Sequence, residues 1–158
     1  MQKRDILGNK IALLLLEIGA LLGITMTYFT YYSVSLEDNR AINVVLHDFL
    51  YGKIFAIACV IVSVLFWLES KGYAAMIVSA LLFGFIIYTV VCRLKIAAEC
   101  IQTAVLEKGV SSEDLVRAAK INADSVHMGV GFWFIFLSVM LMVAGSLLQI
   151  FLSNMKSD

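Results

Sequence analysis

The sequence predicts an all-α integral membrane protein, a four-helix bundle whose third and fourth helices extend beyond the bilayer as a hairpin. Of its 158 residues, 61% are hydrophobic, compared with about 45–50% in a soluble domain. The excess lies in four runs, each close to the roughly 20 apolar residues that a helix needs to cross the bilayer core. The chain contains no proline, so nothing in the sequence forces a break within those helices.

The four runs make residues 1–158 a single membrane domain. None of them shows the alternation of apolar and polar residues that a membrane β-barrel needs. The start, MQKRDILGNK, resembles the charged region of a signal peptide, but the apolar run behind it exceeds the roughly 7–15 residues of a signal-peptide core, so we expect an uncleaved first span. The spans are expected at Ile11 to Ser33, Phe49 to Leu68, Tyr73 to Cys92 and Met128 to Leu152.

The connection between the third and fourth spans, residues 93–127, has the pattern of two further helical segments. Apolar residues recur at helical spacing from Leu94 to Val105, and Lys95 and Glu99 can pair across one turn. Further on, SSEDLVRAAK begins with serine and acidic residues, which is typical of a helix N-terminus. We therefore expect the hairpin over 93–127. It would either cover the end of the bundle or form a docking stalk or pore vestibule.

The orientation of the chain is only weakly indicated by its charges. Lys3, Arg4 and Lys10 precede the first span and favour a cytoplasmic N-terminus. The total of lysine and arginine residues points the other way, but a long connection need not follow the charge rule. We expect a multi-pass protein of the cell (inner) membrane with its N-terminus in the cytoplasm. The formal net charge is zero, so no basic surface indicates binding to nucleic acid.

Polar residues inside the spans are the first candidates for function. Glu17 lies within the run LLLLEIGALLG, and an ionised acid near the bilayer centre costs about 2.5–3.5 kcal/mol on insertion scales. Alternating spans place Ser79, Ser146 and Gln149 at a similar depth, so we expect a polar intramembrane cluster of these four residues. The cluster would either fix a buried acid by interhelical hydrogen bonds or let the acid contact a proton or cation. Glu17 snorkelling to the near interface is the other alternative.

Small residues four positions apart form two candidate packing faces. Gly19 and Gly23 make a GxxxG pair on the first span, and Ala80 and Gly84 repeat the spacing on the third. Such pairs let helix backbones approach closely in lipid. They would serve either packing within one bundle or self-association of several chains.

Two histidines lie directly before spans and therefore at the same side of the membrane. His47 precedes the second span and His127 the fourth, which is the arrangement that a shared metal or a bis-histidine haem needs. Interfacial histidines are also ordinary, and the three cysteines have no metal-binding or redox spacing. We therefore expect no metal and no cofactor, with haem at His47 and His127 kept as an alternative.

The sequence contains none of the common catalytic motifs, such as HExxH, GxSxG, Walker A or GxGxxG. We therefore expect a non-enzymatic multi-pass membrane protein that acts through helix-mediated assembly, as an oligomeric channel or as the membrane subunit of a larger complex. Its partners would be the lipid bilayer and either further copies, in a homo-oligomer, or another membrane protein. Two alternatives stay open: an electron-transfer protein with bis-histidine haem, and an immunity protein against a membrane-active toxin.

Overall fold

The computed structural model describes residues 2–35, 41–68, 72–99 and 126–155, which are mostly helical. Four of the helices are long and apolar enough to cross a membrane. This confirms the four predicted spans by length and composition and is consistent with an integral membrane protein. The helices are α1 (Gln2–Met26), α2 (Leu50–Leu68), α3 (Tyr73–Val91) and α4 (Val130–Asn154).

A three-stranded antiparallel sheet, which the sequence pattern did not predict, joins the helices at one end. Its strands are β1 (Thr30–Ser35), β2 (Ala41–Val45) and β3 (Val126–Met128), in the order β2-β1-β3. The expectation of a first helix running to Ser33 is therefore wrong, because α1 ends at Met26. The stretch TYYSVS is rich in aromatic and β-branched residues that favour strands. Its pairing partners lie far along the chain, so the length of the apolar run does not reveal the strand.

The fourth helix does not extend back before residue 128 as the predicted hairpin requires. Residues 126–128 form β3, which pairs with β1, and α4 begins only after Gly129. On the other side, α3 ends before Cys92 and helical structure resumes over 93–99. The remainder of the predicted hairpin, 100–125, lies outside the described residues. Strand pairing has overridden the local helical pattern just before α4.

The four long helices pack in a closed order, in which each contacts its neighbour in sequence and α4 returns to contact α1. The α1–α4 contact is the most extensive. It is antiparallel, because Gly145 lies against the backbone of Ala12 while Gly19 lies against that of Ser138. Apolar side chains fill the space between the helices; Leu16, Val62, Ile135, Val139 and Met142 are all fully buried.

The outer surface of the helices carries many large apolar side chains. Large side chains are exposed along all four, among them Leu14, Ile57, Leu81 and Leu147. A soluble protein rarely exposes a contiguous apolar surface of this extent. Since helices satisfy their own backbone hydrogen bonds, such a surface is suited to lipid.

The sheet is fixed to the C-terminal end of α3 by two consecutive tyrosines of β1. The hydroxyl groups of Tyr31 and Thr89 lie 2.7 Å apart, and the Tyr32 hydroxyl donates to the Thr89 carbonyl oxygen at 2.6 Å. That carbonyl lies in the last turn of α3, where no later amide of the helix can reach it. The register of β1 shifts between Thr30 and Tyr32. Such an irregularity re-aims side chains, which is how adjacent residues reach the same threonine.

We expect Tyr31 to make the fold sensitive to alkaline pH. Burial raises the pKa of Tyr31 from its ordinary value of 10.0 to about 12, although the hydrogen bond with Thr89 lowers it in part. Between these values the unfolded chain loses the phenolic proton and the folded chain keeps it, so stability falls as pH rises. The loss approaches about 1.4 kcal/mol per pH unit between these values and amounts to about 2.3 kcal/mol by pH 12.

Thermal unfolding in detergent between pH 9 and pH 12 measures this loss. The variant Tyr31→Phe should show a shallower decline than the wild type, while Tyr88→Phe, at an exposed position of α3, should keep the wild-type slope. Equal slopes for all three chains would show that Tyr31 does not couple folding to pH.

Candidate functional site

Glu17 lies in the seam between α1 and α2, where its carboxyl group accepts two hydrogen bonds. Ser63 Oγ donates to Oε2 at 3.3 Å, and Trp67 Nε1 donates to Oε1 at 2.8 Å. The Glu17 side chain is half-buried, and the Trp67 side chain is 69% exposed. One side of the acid therefore faces α2 and the other faces the exterior of the helices.

The meeting of Glu17 and Trp67 follows from the direction of their helices. A helical side chain leans toward the N-terminus of its own helix. Because α1 and α2 run antiparallel, Glu17 leans toward the end of α2 and Trp67 leans back toward the middle of that helix. Trp67 is the next-to-last residue of α2. The carboxyl group therefore lies nearer to that end of the helices than the Glu17 backbone does.

The three residues expected beside Glu17 have other surroundings. Ser79 Oγ donates to the Ala75 carbonyl oxygen within α3 at 2.8 Å. Ser146 is fully buried, and its hydroxyl has no hydrogen-bond partner among the residues described. Gln149 lies beside Gly72 at the start of α3. Its Oε1 would lie 3.2 Å from a Cβ added at Gly72. The hydrogen bonds of Glu17 thus come from α2 and not from α3 or α4.

The sequence contained a signal for the observed partners of Glu17. Ser63 and Trp67 are four residues apart and so share one face of α2. Depth along the membrane was the only criterion that selected Ser79, Ser146 and Gln149. Depth gives the level of a residue but not the helix face on which it lies. A tryptophan at the end of an apolar helix is also typical of an interfacial aromatic anchor, so the position of Trp67 alone does not indicate a contact with Glu17.

The two small-residue pairs have opposite environments. A Cβ added at Gly19 would lie 2.8 Å from the Ser138 carbonyl oxygen, and one at Gly23 would lie 2.5 Å from Ser138 Oγ. Ser138 Oγ also donates to the Gly19 carbonyl oxygen at 2.8 Å. On α3, by contrast, Ala80 is exposed, and a Cβ at Gly84 would meet no atom of the described residues within 4 Å. The α1 pair packs within the chain, and the α3 pair faces outward.

The two histidines lie on different flanks of β1. The His47 ring follows β2 and stacks on Tyr28, with ring centroids 3.8 Å apart and an interplanar angle of 26°. His127 is exposed on β3, opposite Ser33 of β1. Within the described part of the chain, no group of three or more histidine, cysteine, aspartate or glutamate residues could hold a metal ion.

The four long apolar helices therefore offer two features for function: the half-buried acid at Glu17 and the outward face of α3 around Ala80 and Gly84. The acid can accept further hydrogen bonds or pair with a cation, and the α3 face can admit another helix backbone. The chain matches no protein-family model, no curated protein and no solved structure.

Proposed function

We propose that this chain is a non-enzymatic multi-pass membrane protein that acts by assembling with further copies of itself through α3. The supporting observation is the open space at Gly84, which contrasts with the close packing at Gly19 and Gly23. A glycine in a helix interior weakens the helix by roughly 0.5–1 kcal/mol relative to alanine. At Gly84 no contact within the described chain accounts for that loss.

The outward face of α3 has the shape that helix association in lipid requires. Ala80 and Gly84 form a shallow notch one turn long, near the middle of α3. Ile77, Leu81 and Ile87 are exposed around it. Lipid gives helices no hydrophobic reason to associate, so close backbone approach at small residues supplies the attraction. If a second copy offers the same face, the contact is two-fold and closes as a pair; if it offers a different face, the contact can repeat and close as a ring.

Side chains fill the space between the four helices, which limits where an assembly could conduct. Leu16, Ile135 and Met142 are fully buried there, so we place any conducting path between copies and not within one chain. An oligomeric channel and a membrane subunit of a larger complex are both compatible with that arrangement. As part of the same proposal, we place the protein in the cell membrane with its N-terminus in the cytoplasm.

The mass of the protein in detergent and cross-linking in native membranes test this proposal. We expect the wild type to exceed the 17.5 kDa of one chain. The Gly84→Leu and Ala80→Leu variants should each have the mass of a single chain, because the added side chain fills the notch. Since Gly84 has no close neighbour in the part of the chain that the structure describes, the Gly84→Leu variant should keep the helical circular dichroism spectrum of the wild type.

Ala144→Leu is the matched control, because it enlarges an exposed small residue on α4 and should leave assembly unchanged. A wild type that is a single chain would contradict the proposal, as would a Gly84→Leu variant that still assembles. A ring of several copies would favour the channel, and a pair would favour the subunit.

A further inference from the structure

The seam that holds Glu17 lies on a different part of the surface from the α3 notch. We infer that Glu17, together with Ser63 and Trp67, binds the ammonium group of an amphiphile that reaches it sideways from the membrane. This inference does not depend on assembly, and it rests on the hydrogen-bonding capacity of the carboxyl group, its position and the apolar surface beside it.

The carboxyl group has acceptor capacity left over. An ionised carboxylate offers about four lone-pair directions on its two oxygens. Ser63 uses one on Oε2 and Trp67 one on Oε1, which leaves about one on each oxygen. No lysine, arginine or histidine among the described residues forms an ion pair with Glu17. The remaining lone pairs are on a half-buried side chain and are open to a donor from outside.

A primary ammonium group matches this acceptor. It carries three N–H donors and no acceptor, and its hydrogen bonds to a carboxylate are strengthened by the opposite charges. Acids within membrane spans are costly unless they meet a partner or water. Glu17 lies six residues beyond Ile11, a depth of about 9 Å, and its lean toward Trp67 shortens that depth. The head of an amphiphile lying slightly below the interface can therefore reach the carboxyl group.

The surface next to the acid suits an alkyl chain. Leu21 follows Glu17 by one turn on α1, and Val60 precedes Ser63 by about one turn on α2. Both side chains are exposed on the membrane-centre side of the carboxyl group. A ligand with an ammonium head at Glu17 can thus lay its tail along this seam. An aminophospholipid of the bilayer and a hydrophobic primary amine from solution share this chemistry.

Trp67 provides a direct readout of binding. We would replace the other tryptophan by Trp133→Phe, so that all indole emission comes from the residue in contact with Glu17. The chain would be placed in phosphatidylcholine nanodiscs, whose quaternary ammonium has no N–H to donate. One arm adds phosphatidylethanolamine in increasing proportion, and the other adds octylamine. We expect a saturable change in Trp67 emission, weakened at least about tenfold by Glu17→Gln.

The control is Glu99→Gln, since Glu99 lies at the opposite end of the helices, where it receives a hydrogen bond from Tyr51. It should respond as the wild type does. Ser63→Ala leaves the carboxyl group in place and should weaken binding about threefold, which keeps the test open if Glu17→Gln fails to fold. A saturable response in either arm supports the site, and the arm that responds identifies the source of the ammonium group. No response in both arms, or an undiminished response in folded Glu17→Gln or in Ser63→Ala, would overturn it.

Discussion

Replacing Gly145 with leucine is expected to force α1 away from α4 and to destabilise the fold by at least about 3 kcal/mol. A Cβ at this position would lie 2.7 Å from the Ala12 carbonyl oxygen and 3.0 Å from the Leu16 backbone nitrogen. These are helix backbone atoms, so no side-chain rotation can relieve the contact. Overpacking a dense interior typically costs about 1–3 kcal/mol and occasionally more, and leucine adds three further carbons beyond the Cβ.

Thermal unfolding in a mild detergent measures this effect, and we expect the midpoint to fall by about 6–12 °C. Ala144→Leu is the matched control, because it adds a leucine at the adjacent position of the same helix, where the side chain is exposed. The control should stay close to the wild type. Similar losses at the two positions would mean that α1 and α4 do not pack as closely as described.

The second large effect is expected at the junction of the sheet with α4. A Cβ at Gly129 would overlap the carbonyl oxygen of Thr30 and lie 2.9 Å from the Thr30 side chain. Gly129 has φ −79° and ψ 175°, which alanine adopts freely, so Gly129→Ala tests steric contact alone. The Gly129 amide also donates to the Tyr31 carbonyl oxygen at 2.8 Å. The substitution should break this link and cost about 3 kcal/mol or more.

Amide hydrogen exchange locates this damage in the chain. In Gly129→Ala we expect faster exchange of the paired amides of β3 and β1, with little change in the middle of α2. Val130→Ala, at the exposed neighbouring position, should leave exchange as in the wild type. If the amides of β3 exchange equally slowly in both variants, the contact with Thr30 is not what holds the sheet in place.

The spanning helices could be predicted because their signal is local. The second span was expected from Phe49 and begins at Leu50, and the third was expected from Tyr73 and begins there. The sheet could not be predicted in this way. Tyr32 pairs with Val44 on one side and Met128 on the other, and no local pattern specifies the second partner.

The sequence predicted that Glu17 is a candidate functional residue, but it did not predict which residues surround the carboxyl group. The cost of a charge in lipid singled out Glu17, but the rotation of α1 about its axis decided that Ser63 and Trp67 would meet it. The spacing of small residues found both Gly19 and Gly84. Spacing cannot tell an inward face from an outward one, because that depends on which neighbours the finished fold places beside each helix.

Chemical labelling of cysteines tests directly whether all four helices cross the bilayer. Single cysteines at Asn9, Ser35, His127 and Asn154, all exposed, would be introduced into a chain whose three native cysteines are alanine. An impermeant maleimide would be applied to sealed cells and then to permeabilised ones. We expect Asn9→Cys and Asn154→Cys to react from one side, and Ser35→Cys and His127→Cys only from the other. Reaction of all four positions from the same side would contradict the account.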